Sequence, residues 1–186
     1  MNGQFLTKEN RDILQRMSFM KRFNNAVHIH EENVAEHSFY VAMYAYALCD
    51  ELKIGGELRQ TIIEKALIHD VHETVVSDIP HNVKKMDRDV EHFFESYERH
   101  YNRNNFEQLE KTYNRMFAVD QGICDLVVML ADVLSVRQYS ELEVSLGNKH
   151  FEEILEGANK RISECIEQLK IAKLTYISEV ERLINN

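Results

Sequence analysis

Apolar residues at Ile13, Leu14, Met17 and Met20 are spaced as on one helical face, which predicts a first helix over Leu6 to Met20. The pattern breaks over Lys21 to Glu32, where an asparagine pair, histidines and acids read as a loop. Asn33 then stands as an N-cap with Glu36 at the reciprocal capping position. That helix is expected to run to about Leu52 and to stop at the Gly55-Gly56 pair. Leu58 to His72 carries the stripe Ile62, Ile63, Ala66 and Leu67 of a half-buried helix. Val75 to Asn82 reads as a loop or short turn around Pro80.

Asp87 to Met116 is polar, with aromatic residues spaced along it. It predicts two helices, or one interrupted near Asn102 to Asn105. The densest apolar segment, Asp120 to Leu146, is the candidate for a central buried helix ended by Gly147-Asn148. Phe151 to Ile184 follows as a long amphipathic tail. The pattern predicts one all-α domain of about seven helices over residues 1–186, with no internal repeat or linker.

Composition narrows this further. One proline and six glycines among 186 residues leave too little turn material for a β-sandwich or a flexible linker. The net charge of -9 repels nucleic-acid backbones and anionic lipid surfaces, so neither nucleic acid nor membrane is expected as a partner. A local basic pocket can still hold one small phosphate. The longest apolar run, Phe39 to Cys49, is too short to span a bilayer, and the polar start, Met1 to Arg11, does not resemble a signal peptide. Cys49, Cys124 and Cys165 are an odd set far apart with no CxxC, which suits reduced, buried thiols in a cytoplasmic protein.

Nine histidines are the raw material for chemistry, and His92, His100 and His150 read as solvated helix residues. His28 and His30 lie in the loop and read the same way. His69-Asp70 differs, because it closes the apolar stretch Ala66-Leu67-Ile68, and imidazole with carboxylate is a good donor set for divalent metals. His37 lies one turn into the Asn33 helix, among apolar residues. Asp132 interrupts the run Val127 to Leu134, where an unpaired carboxylate is costly. Asp132 either pairs with an arginine or a helix cap, or completes a set of His37, His69, Asp70 and Asp132 drawn from three helices. Two nitrogens and two oxygens leave room for water on a six-coordinate ion such as Mn, Co or Mg.

The order His … His-Asp … Asp resembles the HD-domain phosphohydrolase superfamily. The segments Glu32-Asn33-Val34-Ala35-Glu36-His37-Ser38, with Arg22-Phe23 upstream, and His69-Asp70-Val71-His72-Glu73 with Ser77-Asp78-Ile79-Pro80, resemble the YfbR-type 5′-deoxynucleotidases. Leu146-Gly147-Asn148 after the last aspartate fits as well, so the resemblance covers roughly residues 22–148. It implies an HD-domain helical bundle, often dimeric, with one divalent cation held by His37, His69, Asp70 and Asp132.

It further implies that Glu73 is the catalytic carboxylate, where by itself it would read as a surface helix glutamate. Arg22 would contact phosphate, suited by its fixed charge and bidentate geometry. Asp78, otherwise a turn residue, would bind the sugar side. The family carries Trp after the arginine. Phe23 stands there instead, able to stack on or wall off a sugar or base but without the indole N–H.

The implied reaction is hydrolysis of a deoxyribonucleoside 5′-monophosphate. Two other readings remain. Small HD proteins of similar design remove triphosphate from deoxynucleoside triphosphates, for which Lys21, Lys84 and Lys85 could supply charge. A degenerate HD fold could instead act as a regulatory module. A homodimer is the expected assembly; residues 87–116 and 151–184 offer apolar faces for it, or those stripes pack only within their own chain.

Overall fold

The structure, a computed structural model, describes residues 7–172 and 177–185, the side chains of residues 81 and 82 apart. Ten α-helices occur among them: α1 Lys8–Met17, α2 Val34–Glu51, α3 Gly56–Ile68, α4 Glu73–Val76, α5 His81–Lys84, α6 Arg88–Asn105, α7 Glu107–Arg115, α8 Ala118–Ser145, α9 Glu152–Ile171 and α10 Ile177–Asn185. A 3-10 turn, Lys149–Phe151, precedes α9. Helices α4 and α5 are single turns, which leaves eight substantial helices where the sequence pattern predicts about seven. No strand occurs among the described residues; Lys21 and Asn33 form an isolated antiparallel bridge. Leu6 and residues 173–176, which the sequence reading places in the first helix and the tail, lie outside the described residues.

The α2 start follows the sequence. Asn33 Oδ1 accepts the Glu36 N–H at 3.0 Å, and Glu36 Oε2 accepts the Asn33 N–H at 3.1 Å. The α2 end also falls where expected, at Glu51 with Leu52 as its C-cap, but the glycine pair is not the stop: Lys53 takes the left-handed turn at φ 56°, and Gly55 is the N-cap of α3. The break between α6 and α7 falls at Phe106, which is buried against Ile13, Met17, Val34, Ile68 and Val71.

Helix α8 is the axis of the bundle. Its Cys124, Val127, Leu130 and Ala131 pack with Leu48 and Cys49 of α2, Ile62 of α3, Leu169 of α9 and Val180 of α10. Burial of each large aliphatic side chain contributes about 1.5–3 kcal/mol, so this cluster dominates the stability of the α2–α3–α8 arrangement. The three cysteines are free and buried. Burial pushes the Cys49 thiol up to about 11 and Cys124 up to about 12, so both are poor nucleophiles. No helix among the described residues is long and apolar enough to cross a membrane.

The apolar stripe of residues 151–184 is covered within the chain at Ile162, Ile166, Leu169, Val180 and Ile184, with Ile171 left exposed, whereas over residues 87–116 Phe106 is buried and Phe93 is exposed. On α2, Phe39, Tyr40, Met43 and Tyr46 are exposed as well.

Candidate metal centre and active site

Three elements of the main bundle bring imidazoles and carboxylates to one point. The His37 ring, fully buried in the first turns of α2, is held at both nitrogens by α8. Its Nδ1 lies 3.0 Å from Ser135 Oγ and its Nε2 3.1 Å from Asp132 Oδ1. Asp132 and Ser135 are three residues apart on α8, one turn, so a single helix face brackets the ring. His69 caps the C-terminus of α3, and its Nδ1 donates to the Ala66 carbonyl at 2.8 Å. That bond fixes the ring and turns Nε2 inward, the orientation a metal-ligating histidine requires. The two Nε2 atoms face each other at 3.3 Å. Asp70 Oδ2 stands 3.1 Å from His69 Nε2 and 3.6 Å from His37 Nε2.

Ligand atoms of His37, His69 and Asp132 all lie within 4.8 Å of one another, close enough to share one ion. The electrostatics agree with the donor set. Burial, with the nearby Arg22 charge, holds His37 down to about 4, so the ring is neutral at pH 7, the state in which imidazole can bind a metal. Burial works against a charge on His69 too, but Asp70 and Asp132 overcome it and push the group up to about 9. The field at this point therefore favours positive charge. The residues fit a divalent cation, with Asp70 as a further oxygen donor at the edge of the triad.

Glu73 begins α4, its N–H bonded to the Asp70 carbonyl at 3.0 Å. Its side chain is buried; Oε1 accepts from Lys84 Nζ at 3.0 Å while Oε2 has no partner. Burial first, then the like charge of Asp70, pushes its carboxyl up to about 8, partly opposed by Lys84 and Arg22. Arg22 is also buried. Its Nη1 donates to Asp70 Oδ2 at 3.0 Å, and its Nε sits 3.3 Å from Glu32 Oε2 without hydrogen-bond alignment. Two buried polar atoms without an aligned hydrogen bond, Glu73 Oε2 and Arg22 Nε, thus flank the histidine–aspartate cluster, the latter within ion-pair range of Glu32.

Phe23 takes the left-handed conformation, φ 54°, and its N–H donates to Asp78 Oδ2 at 2.7 Å. Its ring stacks on Tyr139 at 4.9 Å and meets Phe151 edge-on at 5.3 Å. Asp78 therefore ties the loop after α4 to the Arg22-Phe23 segment, and the Phe23 ring is engaged within the chain.

All eight residues singled out from the sequence belong to this one neighbourhood. Others escaped that reading. Ser135 could have been found from its one-turn spacing to Asp132. Glu32 lies inside the quoted motif, yet only the fold reveals that its main-chain carbonyl accepts the Arg22 N–H at 3.0 Å. Glu143, fully buried on α8, accepts the N–H groups of Ile29 and His30 at 2.8 and 2.6 Å and the Asn148 amide at 2.6 Å. With the Tyr139 hydroxyl bonded to the His30 carbonyl, it pins the loop behind Phe23 to the bundle. No local signal marks that role.

Comparison with known proteins follows the same lines. The model of the 5′-deoxynucleotidase YfbR-like family matches residues 11–179. A 5′-deoxynucleotidase of Enterobacter sp. (strain 638) is 27% identical over 176 residues, covering 90% of this chain and 86% of that protein. The 5′-deoxynucleotidase YfbR of Salmonella typhi is 27% identical over the same length, with the same coverage. Among solved structures, the cyanophage S-2L HD phosphohydrolase DatZ, bound to dA and one catalytic Zn2+ ion, superposes with a TM-score of 0.72. It is 13% identical, with 94% of this chain and 95% of that one covered. An HD-domain phosphohydrolase from Listeria innocua gives a TM-score of 0.64 at 19% identity, covering 94% and 85% of the two chains. The bundle is an HD-domain fold.

Proposed function

The chain belongs to the YfbR-like family within the HD-domain phosphohydrolases, and from that premise we propose that it removes the 5′-phosphate from deoxyribonucleoside 5′-monophosphates. The observation that carries this reading is Glu73: a buried carboxylate with Oε2 unpartnered, three residues from Asp70 and beside the His37, His69 and Asp132 cluster. His37, His69, Asp70 and Asp132 would hold a divalent cation (Mn, Co or Mg), which would supply Lewis acidity toward a phosphoryl oxygen and ease ionisation of water near neutral pH.

The chain's own groups do the rest. Glu73 Oε2 is placed to accept or return a proton during attack on phosphorus and departure of the sugar oxygen. Arg22, a buried guanidinium held between Glu32 and Asp70, offsets charge developing on the phosphoryl oxygens. Phe23 and Asp78, joined by their hydrogen bond, form the wall for the sugar and base.

The lysines that a triphosphate substrate would call on are engaged with acids: Lys21 with Glu31 at 2.5 Å, Lys84 with Glu73 at 3.0 Å, and Lys85 with Glu91. That favours the monophosphate. The regulatory-module reading gains nothing, since every residue expected of the enzyme converges. The chain is further expected to form a homodimer, checked by light scattering as two protomers per particle.

The test is a panel of deoxy and ribo mono- and triphosphates crossed with Mn, Co and Mg. Metal-dependent release of inorganic phosphate from dAMP, dGMP or dTMP is expected. Tripolyphosphate from the triphosphates, or monophosphate hydrolysis that survives exhaustive chelation, would overturn the proposal.

A further inference from the structure

The Glu73 carboxylate poses a problem of placement. It is buried beside a second carboxylate, Asp70, so in isolation it would tend to swing toward water. One cation meets it directly. Lys84 Nζ lies 3.0 Å from Glu73 Oε1, and the lysine itself is three-quarters covered. Its backbone is held as firmly as its side chain. Helix α5 is a single turn whose Val83 and Lys84 N–H groups both bond the Pro80 carbonyl, at 2.9 and 3.1 Å. Pro80 in turn follows Asp78, which is anchored to the Phe23 N–H. The ammonium is thus presented from a short, braced element rather than from a free surface.

We propose that Lys84 is a positioning residue for Glu73: it clamps Oε1 and so leaves Oε2 as the one carboxylate oxygen available to the reaction. This rests on the reading of Glu73 as the catalytic carboxylate. Lys84 then acts through Glu73 and does not bind phosphate. The distinction has a kinetic signature, because a lost phosphate contact raises KM, whereas a misplaced carboxylate lowers kcat. Misplacement of a reacting group by about 1 Å can cost about 10²-fold in rate.

The experiment compares Lys84→Met, Lys84→Arg, Glu73→Gln and the Glu73→Gln/Lys84→Met double variant, with steady-state kinetics on the best monophosphate and thermal unfolding of each. Lys84→Met is expected to lower kcat about 10²-fold with KM changed less than about 3-fold. Lys84→Arg is expected to recover about 10-fold of that loss, since it restores a cation of similar reach. The double variant should be no slower than Glu73→Gln alone, because two residues acting as a unit are not additive. A raised KM with unchanged kcat, or additive losses in kcat, overturns the proposal. If the wild-type protein hydrolyses no monophosphate, the functional reading fails separately. The clamp is then judged by unfolding alone: non-additive Tm shifts in the cycle uphold it, and additive shifts overturn it.

Discussion

His37, His69 and Asp132 hang from α2, α3 and α8, whose other faces make the main apolar core. Arg22, Phe23, Glu73 and Asp78 instead ride on a loop and a one-turn helix held by individual hydrogen bonds. Apolar packing spreads its restraint over many contacts, so the ligand triad inherits the rigidity of the bundle. A polar pin concentrates restraint in one or two bonds, so losing a single atom can release a whole segment. The metal half should therefore fail by losing its ion while the fold persists. The substrate half should fail by local loosening.

The sharpest way to break the comparison is to strip the ligand cluster. Asp70→Ala or His69→Ala is expected to cost on the order of 10³-fold or more in activity, since the cation proposed there would supply several kcal/mol of transition-state stabilisation. Metal content by mass spectrometry should fall while the melting transition stays cooperative. Glu73→Gln comes next, with a loss of about 10²–10⁴-fold in kcat. Metal content should be retained, which separates the two halves of the site in one assay.

Glu143→Ala tests the polar pin. It removes a buried carboxylate that accepts three hydrogen bonds, and about 3 kcal/mol of stability should go with it, read as a Tm lower by about 6–12 °C. Burial alone would raise the Glu143 carboxyl, but Asn148 and the Ile29 and His30 amides more than offset this and hold it below its ordinary 4.5. Its contribution is thus full above about that pH and is lost as pH falls through the folded value. The Tm gap between wild type and Glu143→Gln should accordingly narrow in acid. The smallest effect belongs to Phe23→Leu, which forfeits the stack on Tyr139, about 0.5–1.5 kcal/mol, seen as a Tm lower by about 1–5 °C.

Much of the ligand half was legible in the chain. Asn33 and Glu36 spell out a reciprocal cap, and Asp132 stands out because a carboxylate amid Val127 to Leu134 needs a partner. The substrate half was legible only through its resemblance to a family, because its residues announce no periodicity. The expected end of α2 near Leu52 holds, while the stop is a left-handed turn at Lys53 rather than the Gly55-Gly56 pair. Residues 87–116 and 151–184, expected to offer dimer faces, hold both buried apolar side chains, such as Phe106 and Leu169, and exposed ones, such as Phe93 and Ile171. Helical spacing reveals that a stripe is apolar, and the partner that covers it is a tertiary fact.

By itself, then, the sequence determined the helices and their caps, the central place of α8, and a His/His-Asp/Asp set that demands a shared partner. These are local matters, governed by backbone geometry, side-chain spacing and the cost of burying charge over a few residues. Only the tertiary structure decided that Ser135 orients His37, that Glu143 holds the loop behind Phe23, and that Lys84 takes one oxygen of Glu73 and leaves the other without a partner. Those pairings join residues from 11 to 114 positions apart. A hydrogen bond depends on distances of about 3 Å that only the packed chain fixes.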